Sequence, residues 1–332
     1  MIKKIFSLIA VISLSNIIYS ANLQADDLAT FDEWLSNIEN LAIERGISKN
    51  TADNALNNLE RNPRVIELDR DQPEFTLTHE EYLNNTVTES RAKKGKDLYN
   101  DHKILLNKIR KEFGVQERFL LSLWGIETSF GRYTGSFNVV RSLATLSHDL
   151  RRRDFFTDEL LNALQILDEG HIDVQDMNGS WAGAMGQNQF MPSSFLNFAY
   201  DFDEDGRKDI WNTLPDIFAS SANYLSQSGW DDNLTWGREV IITNDIDKSL
   251  ITTSAKKINV SKSLNEWSSL GVKKTNGQLL PDKNIQAYLV YPDGEKGKKY
   301  LVYENFKVLM KWNRSLFFGI SVGTLSDMIE YF

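Results

Sequence analysis

Apolar positions along this chain recur mostly at helical spacing. Phe31, Trp34, Leu35, Ile38, Leu41 and Ala42 fall three and four residues apart, which predicts a helix over Phe31 to Arg45. Ser48 is placed to cap a second helix running through Leu59. Asn62 to Thr78 contains Pro63 and Pro73 and reads as an extended crossing over the surface, because proline turns the preceding residue away from helix. A long helix is expected from about Ser90 to Phe113, ended by Gly114, and another from Gln116 to Phe130. Further helices are expected at Asn138 to Asp149, Asp154 to Glu169, Leu214 to Ser228 and about Ser315 to Tyr331. Strand signals come late, at Glu239 to Thr243, Ile285 to Tyr291 and Tyr300 to Tyr303, where β-branched and aromatic residues cluster between turns.

The expected fold class is therefore mainly α with a small β-containing subdomain. A helical domain over 26–231 would be followed by the β-containing part at 232–304 and a helical return at 305–332. Residues 1–25 read as a secretory signal: Lys3 and Lys4, the apolar run Ile5 to Leu14, then small residues at Ser20, Ala21 and Ala25. A membrane anchor is the weaker reading, since Ser13, Ser15 and Asn16 interrupt the run before it can span a bilayer.

The 332-residue chain carries a formal net charge of -9, so it lacks the basic footprint of a nucleic-acid binder. It has no Cys, which excludes disulfides, thiolate catalysis, Cys-based zinc sites and a lipid-modified N-terminal Cys. A soluble exported protein with no integral membrane segment is expected. No organic cofactor is expected either.

Three stretches carry candidate chemistry. In the helix over Gln116 to Phe130, Leu120, Leu123, Trp124 and Glu127 share one stripe, which places a lone carboxylate where an apolar side chain belongs. Desolvation disfavours its charged form, so Glu127 should hold a proton near neutral pH, as a general acid must. The competing reading pairs it with Arg132 or with one of Arg151, Arg152 and Arg153. The second stretch, Gly179 to Ser194, is rich in small residues and amides and free of charge. It suits close approach of sugar hydroxyl and acetamido groups, or else is a tightly packed loop.

The third stretch, Asp201 to Asn212, places Asp201, Asp203, Asp205 and Asp209 at positions one, three, five and nine of an EF-hand-type loop. Gly206 stands at the sharp turn, and Arg207 would coordinate through its backbone carbonyl. Asn212 stands where a bidentate Glu is usual, which predicts weaker affinity and a structural Ca²⁺, or Na⁺. Near the C-terminus, Ser315 is placed to cap the final helix, and Asn313 can present its amide to a substrate.

Together these motifs resemble the lytic murein transglycosylases of the membrane-bound lytic transglycosylase B type, over most of the chain from about Phe31. The resemblance rests on Trp124-Gly125-Ile126-Glu127-Thr128 with Gly131, Ala144-Thr145-Leu146, and Gly179-Ser180-Trp181-Ala182-Gly183-Ala184-Met185-Gly186 with Gln189-Phe190-Met191-Pro192-Ser193. The acidic loop, Ala222-Asn223-Tyr224 and Trp312-Asn313-Arg314-Ser315 complete it. It implies a lysozyme-like catalytic core, a periplasmic location, and cleavage of the β-1,4 bond between N-acetylmuramic acid and N-acetylglucosamine in peptidoglycan glycan strands. It implies Glu127 as catalytic acid and base, with Ser180, Gln189 and Asn313 lining the cleft. Tyr82 matches a cleft tyrosine on weaker local similarity. Trp312 stands where some relatives have Tyr, and Phe318 stands where the pattern leads one to expect a Tyr. With one acid, the chemistry expected is non-hydrolytic: the sugar's own C6 hydroxyl closes a 1,6-anhydro ring. Rival readings are a hydrolytic muramidase using Asp149 or Asp201 as second carboxylate, a non-catalytic murein-binding protein, and a secreted calcium-binding protein.

Overall fold

The computed structural model describes residues 30–71 and 77–331. The expected leader over 1–25 lies outside the described residues. Helices α1 (Phe31–Glu44), α2 (Lys49–Leu56) and α3 (Pro63–Arg70) begin at caps supplied by Thr30, Ser48 and Asn62. Then come α4 (His79–Thr86), α5 (Glu89–Phe113) and α6 (Glu117–Thr128). The short strand β1 (Phe137–Asn138) leads into α7 (Val139–His148) and α8 (Arg153–Asp168), followed by β2 (Asn178–Gly179), α9 (Pro192–Phe198) and α10 (Leu214–Gln227). The strand-rich part holds β3 (Gly237–Ile242), β4 (Ile251–Thr252), β5 (Ser261–Ser263), α11 (Leu264–Ser269), β6 (Val272–Lys274), β7 (Gln286–Val290) and β8 (Lys299–Val302). Helices α12 (Glu304–Trp312) and α13 (Leu316–Tyr331) close the chain. The expected fold class, mainly α with a small sheet, is what the structure has.

The stretch Asn62 to Thr78 is not an extended crossing throughout. Asn62 accepts the Arg64 N–H at 3.1 Å and Pro63 occupies the first helical position, where its fixed φ suits a helix and its missing N–H costs nothing. The same proline that argued for extension therefore starts α3. Residues 72–76, including Pro73, lie outside the described residues. Helix α4 was also not expected; Thr78 and Glu81 form its capping box.

Contacts divide the chain into two compact units. Among the described residues, the first comprises 30–71, Gly135–Ala184 and Met191–Leu196. In it α7 packs along α8, α3 lies on α7, and α1 and α2 lie on α8. Asp69, buried on α3, takes both Arg151 and Arg152, and the Trp34 indole donates to Ser147 at 3.2 Å.

Among the described residues, the second unit comprises 77–134, Met185–Phe190 and 197–331. Its centre is α6, against which α5, α10 and α13 pack; α13 also meets α4, α5 and α12. Its six-stranded sheet has the order β4-β7-β8-β3-β6, with β5 also on β7. The β4–β7 pair is parallel and the others antiparallel. The sheet has its own core around Trp267, Leu289 and Leu301, and the buried Trp267 N–H is satisfied by the Ala287 carbonyl at 2.9 Å.

Candidate active site

Helix α6 is apolar on nearly every face: Phe119, Leu120, Leu121, Leu123 and Trp124 are all buried. Such a helix belongs in the middle of a core, and a carboxylate on it must face whatever opening that core leaves. The helix stops in an unusual way. Ser129, Phe130 and Gly131 follow one another in the left-handed region, at φ of +52°, +61° and +80°. The Phe130 ring lies over Gly125, where a Cβ would come within 2.8 Å of it, and packs edge-on to Trp124 at 5.5 Å. At Gly131 a Cβ would fall 2.1 Å from the Gln187 Oε1, so glycine is required twice over, by conformation and by space.

Glu127 lies in the last turn of α6, half-buried, and its Oε1 accepts the Trp312 indole N–H at 2.8 Å. Desolvation pushes its carboxyl up to about 7, opposed by the Trp312 hydrogen bond, which favours the charged form. The arginines of the competing reading are engaged elsewhere. Arg132 lies over the Tyr133 ring, Arg151 and Arg152 meet Asp69, and Arg153 donates to the His148 carbonyl and covers Trp34. Glu127 has no ion pair with any described residue. A neutral donor and partial desolvation together hold this carboxyl above the ordinary carboxylate range, as a group that must give and take a proton near neutrality requires.

Trp312, at the end of α12, is held between Phe190 and Tyr224, with ring centroids 5.2 and 4.8 Å away. The Tyr224 hydroxyl donates to the Lys311 carbonyl at 2.7 Å, tying α10 to the end of α12. Tyr82, on α4, packs at a tilt against Phe317, with ring centroids 5.8 Å apart. Burial raises its phenol above the ordinary value, the negative charge of Glu127 adds to this, and Arg91 opposes both. So Glu127, Tyr82 and Trp312 sit within one electrostatic neighbourhood of the second unit.

The amide-rich segment is divided between the units. In the second unit Gln187, which the sequence reading did not single out, joins three parts. Its Oε1 accepts the Trp124 indole N–H at 2.7 Å, its Nε2 donates to the Trp211 carbonyl at 2.7 Å, and its backbone N–H donates to Ile210 at 2.8 Å. Thr128 reaches the Gln187 carbonyl at 3.1 Å and takes the Gly131 N–H at 3.1 Å. Gln189, at φ +52°, donates through Nε2 to Thr134 and Gly186, each at 3.0 Å, which leaves its Oε1 as an available acceptor. The exposed Asn313 caps the end of α12 through its backbone N–H, and its side-chain amide makes no hydrogen bond to a described residue.

In the first unit Ser180 closes a tight turn. Its N–H donates to the Ala184 carbonyl at 2.8 Å and its hydroxyl accepts the Ala184 N–H at 3.0 Å, leaving the hydroxyl proton to donate. The small residues here are also needed for packing, since a Cβ on Gly179 would lie 2.1 Å from the Ala184 carbonyl. Ser315 does cap α13: its hydroxyl accepts the Phe318 N–H at 3.4 Å, and the Phe318 ring is buried.

The acidic loop brings together three of its expected ligands. Asp201, Asp203 and Asp205 present carboxylate oxygens within 4.8 Å of one another. The Asp201 carboxylate accepts the Asp205 and Gly206 N–H groups at 3.2 and 2.9 Å, while Arg207 donates its N–H to Asp205 at 2.8 Å. Asp209 and Asn212 are turned to each other: one Asp209 oxygen takes the Trp211 and Asn212 N–H groups, each at 2.9 Å, and the Asn212 amide donates to Asp209 at 3.3 Å. Three convergent carboxylates fit a hard cation with oxygen ligands. Asp216, in the first turn of α10, is fully buried and accepts the Phe202 and Asp209 N–H groups, each at 2.8 Å. Burial pushes its carboxyl up to about 6, although both N–H groups pull it down.

Residues 30–327 match the family model described as the transglycosylase SLT domain. The chain belongs to the SLT transglycosylase family. Among its transglycosylase relatives, the Escherichia coli K12 membrane-bound lytic murein transglycosylase B is 28% identical over 250 residues, 75% of this chain. That match spans 66% of the relative's own length, just under two thirds. SltB3 from Pseudomonas aeruginosa, solved in complex with NAG-NAM-pentapeptide, superposes with a TM-score of 0.86 at 38% identity, covering 91% of this chain and 80% of that one. The Escherichia coli lytic transglycosylase Slt35, solved in complex with calcium, gives a TM-score of 0.75 at 24% identity over 91% and 92% of the two chains, a likeness of fold. The lysozyme-like core expected of a transglycosylase of this family is the fold these neighbours share.

Proposed function

We propose that this protein is a lytic transglycosylase that cleaves the β-1,4 bond between N-acetylmuramic acid and N-acetylglucosamine in peptidoglycan without water. The observation that carries the reading is Glu127: a half-buried carboxyl held to about 7, hydrogen-bonded by a neutral indole and free of any ion pair with described residues. Protonated Glu127 gives its proton to the glycosidic oxygen as the C1–O4 bond breaks. The acetamido oxygen of the muramoyl sugar stabilises the cationic C1. Carboxylate Glu127 then takes the C6 hydroxyl proton as O6 bonds to C1, which restores the acid and leaves a 1,6-anhydromuramoyl end. Attack from within the same sugar has a high effective molarity, so a second carboxylate to activate water is not required.

Sugar contacts are assigned to Ser180, Gln189, Asn313 and Tyr82. Each has a donor or acceptor that no described residue takes. Asp149 and Asp201 are poor second carboxylates for a hydrolytic muramidase. Asp149 is paired with Arg70 and receives the Arg151 N–H, and Asp201 is committed to its loop. The loop of Asp201, Asp203 and Asp205 is proposed to hold a structural Ca²⁺, an assignment supported by the calcium bound in Slt35. A substrate in the cell wall and the leader-like start together support a periplasmic enzyme, and no described helix is long and apolar enough to cross a membrane. Digestion of purified sacculi tests the reading: Glu127→Gln is expected to lose 10²- to 10⁴-fold of the activity, the usual contribution of a general acid and base. Normal release of fragments by that variant would refute it.

A further inference from the structure

A Trp in contact with the acid has a chemical consequence of its own. An indole N–H donates and cannot accept, unlike a tyrosine hydroxyl, which does either. The Trp312 N–H points at Glu127 Oε1 at 2.8 Å and is held there by Phe190 and Tyr224 on its ring. Glu127 Oε2 has no hydrogen-bonding partner among the described residues, and it is not sealed from solvent. The two oxygens of one carboxyl are thus distinguished by their surroundings.

We propose that Trp312 is a positioning residue that selects which oxygen of Glu127 carries the proton: Oε1 is held as the carbonyl-type acceptor, and the transferable proton sits on the open Oε2. This deepens the transglycosylase reading and rests on it for its catalytic consequence. The carbonyl oxygen of a neutral carboxylic acid is the better acceptor, so a proton on Oε1 would weaken the contact with the indole. A hydrogen bond of ordinary strength corresponds to roughly a ten-fold preference for the Oε2 form. After the proton leaves, the same N–H supports the carboxylate while Oε2 collects the C6 hydroxyl proton. One oxygen therefore serves both halves of the reaction, and the carboxyl need not rotate between them. The other titratable or charged groups nearby are Tyr82 on α4, Arg91 on α5 facing Tyr82, Tyr224 on α10, and Lys311 beside Trp312.

The test replaces Trp312 in the full protein with β-(3-benzothienyl)alanine, which keeps the shape of the ring and has sulfur in place of the N–H. At a pH where Glu127 is protonated, the wild-type Trp312 indole proton is expected to stay at a hydrogen-bonded NMR position. The Glu127 C=O stretch, isolated by subtracting the Glu127→Gln spectrum, is expected to move to higher frequency in the isostere. Catalysis should show a falling pH limb shifted upward by roughly one unit, with kcat reduced and KM little changed. An indole proton that moves to its free position on protonation, with the same C=O stretch in both proteins, would overturn the proposal. Both spectroscopic readings are independent of turnover. Expected spectra in a protein that cleaves no peptidoglycan would uphold the proton placement and reject the transglycosylase reading.

Discussion

Keeping a proton on Glu127 has a thermodynamic cost that can be measured apart from catalysis. Its folded value of about 7 lies above the ordinary 4.5, so between those pH values the folded chain keeps a proton that the unfolded chain has lost. The contribution of Glu127 to stability should therefore decline as pH rises from about 4.5 to 7 and level off beyond. Glu127→Gln removes this dependence and is expected to stabilise the protein by up to roughly 3 kcal/mol above pH 7, less for the accessible part of the side chain. Melting temperatures of the two proteins at pH 5 and pH 8 check this; the gap should open at pH 8. Activity should fall above about pH 7 as a single ionisation removes the acid form. The place of Glu127 on an apolar stripe was legible in the sequence, because helical spacing alone reports it. Its partner was not: Trp312 lies 185 positions away, and spacing carries no record of which donor faces which acceptor across a fold.

Among the elements, what periodicity could not reveal was how the ends of helices are made. Asn62-Pro63 reads as a break if proline's bias on the preceding residue is weighed alone, and the structure uses it as a start: Asn62 caps the Arg64 N–H and Pro63 takes the first helical position. The acidic loop was legible from Asp201 to Gly206, whereas Asp216 was not. An Asp in a first helical turn looks like ordinary favourable charge near a helix N-terminus. Its burial under Phe202 and Asp209 makes it the brace that holds the loop to α10. Asp216→Ala leaves two N–H groups without partners and is expected to cost about 2–3 kcal/mol. Hydrogen exchange should rise first at the amides of Phe202 and Asp209. Unchanged protection there would show that the loop is held by other means.

At the scale of the whole molecule, the family, the mainly helical fold and the chemistry expected of Glu127 point the same way. The division into two compact units was not legible, because Gly179 to Ser194 contributes to both and no local pattern marks where a chain changes unit. If the acidic loop holds Ca²⁺, binding to the folded state alone raises the melting temperature in proportion to the logarithm of excess calcium, and a chelator reverses it. No shift between the two conditions would argue that the three carboxylates are a solvated turn. In the proposed reaction a lone carboxyl breaks the glycan strand with the sugar itself as nucleophile. Mass spectrometry of the fragments released from purified peptidoglycan tests this most directly. Muramoyl ends lighter by one water than a hydrolytic product are expected from the wild type and not from Glu127→Gln; reducing muramic acid ends from the wild type would refute the intramolecular route.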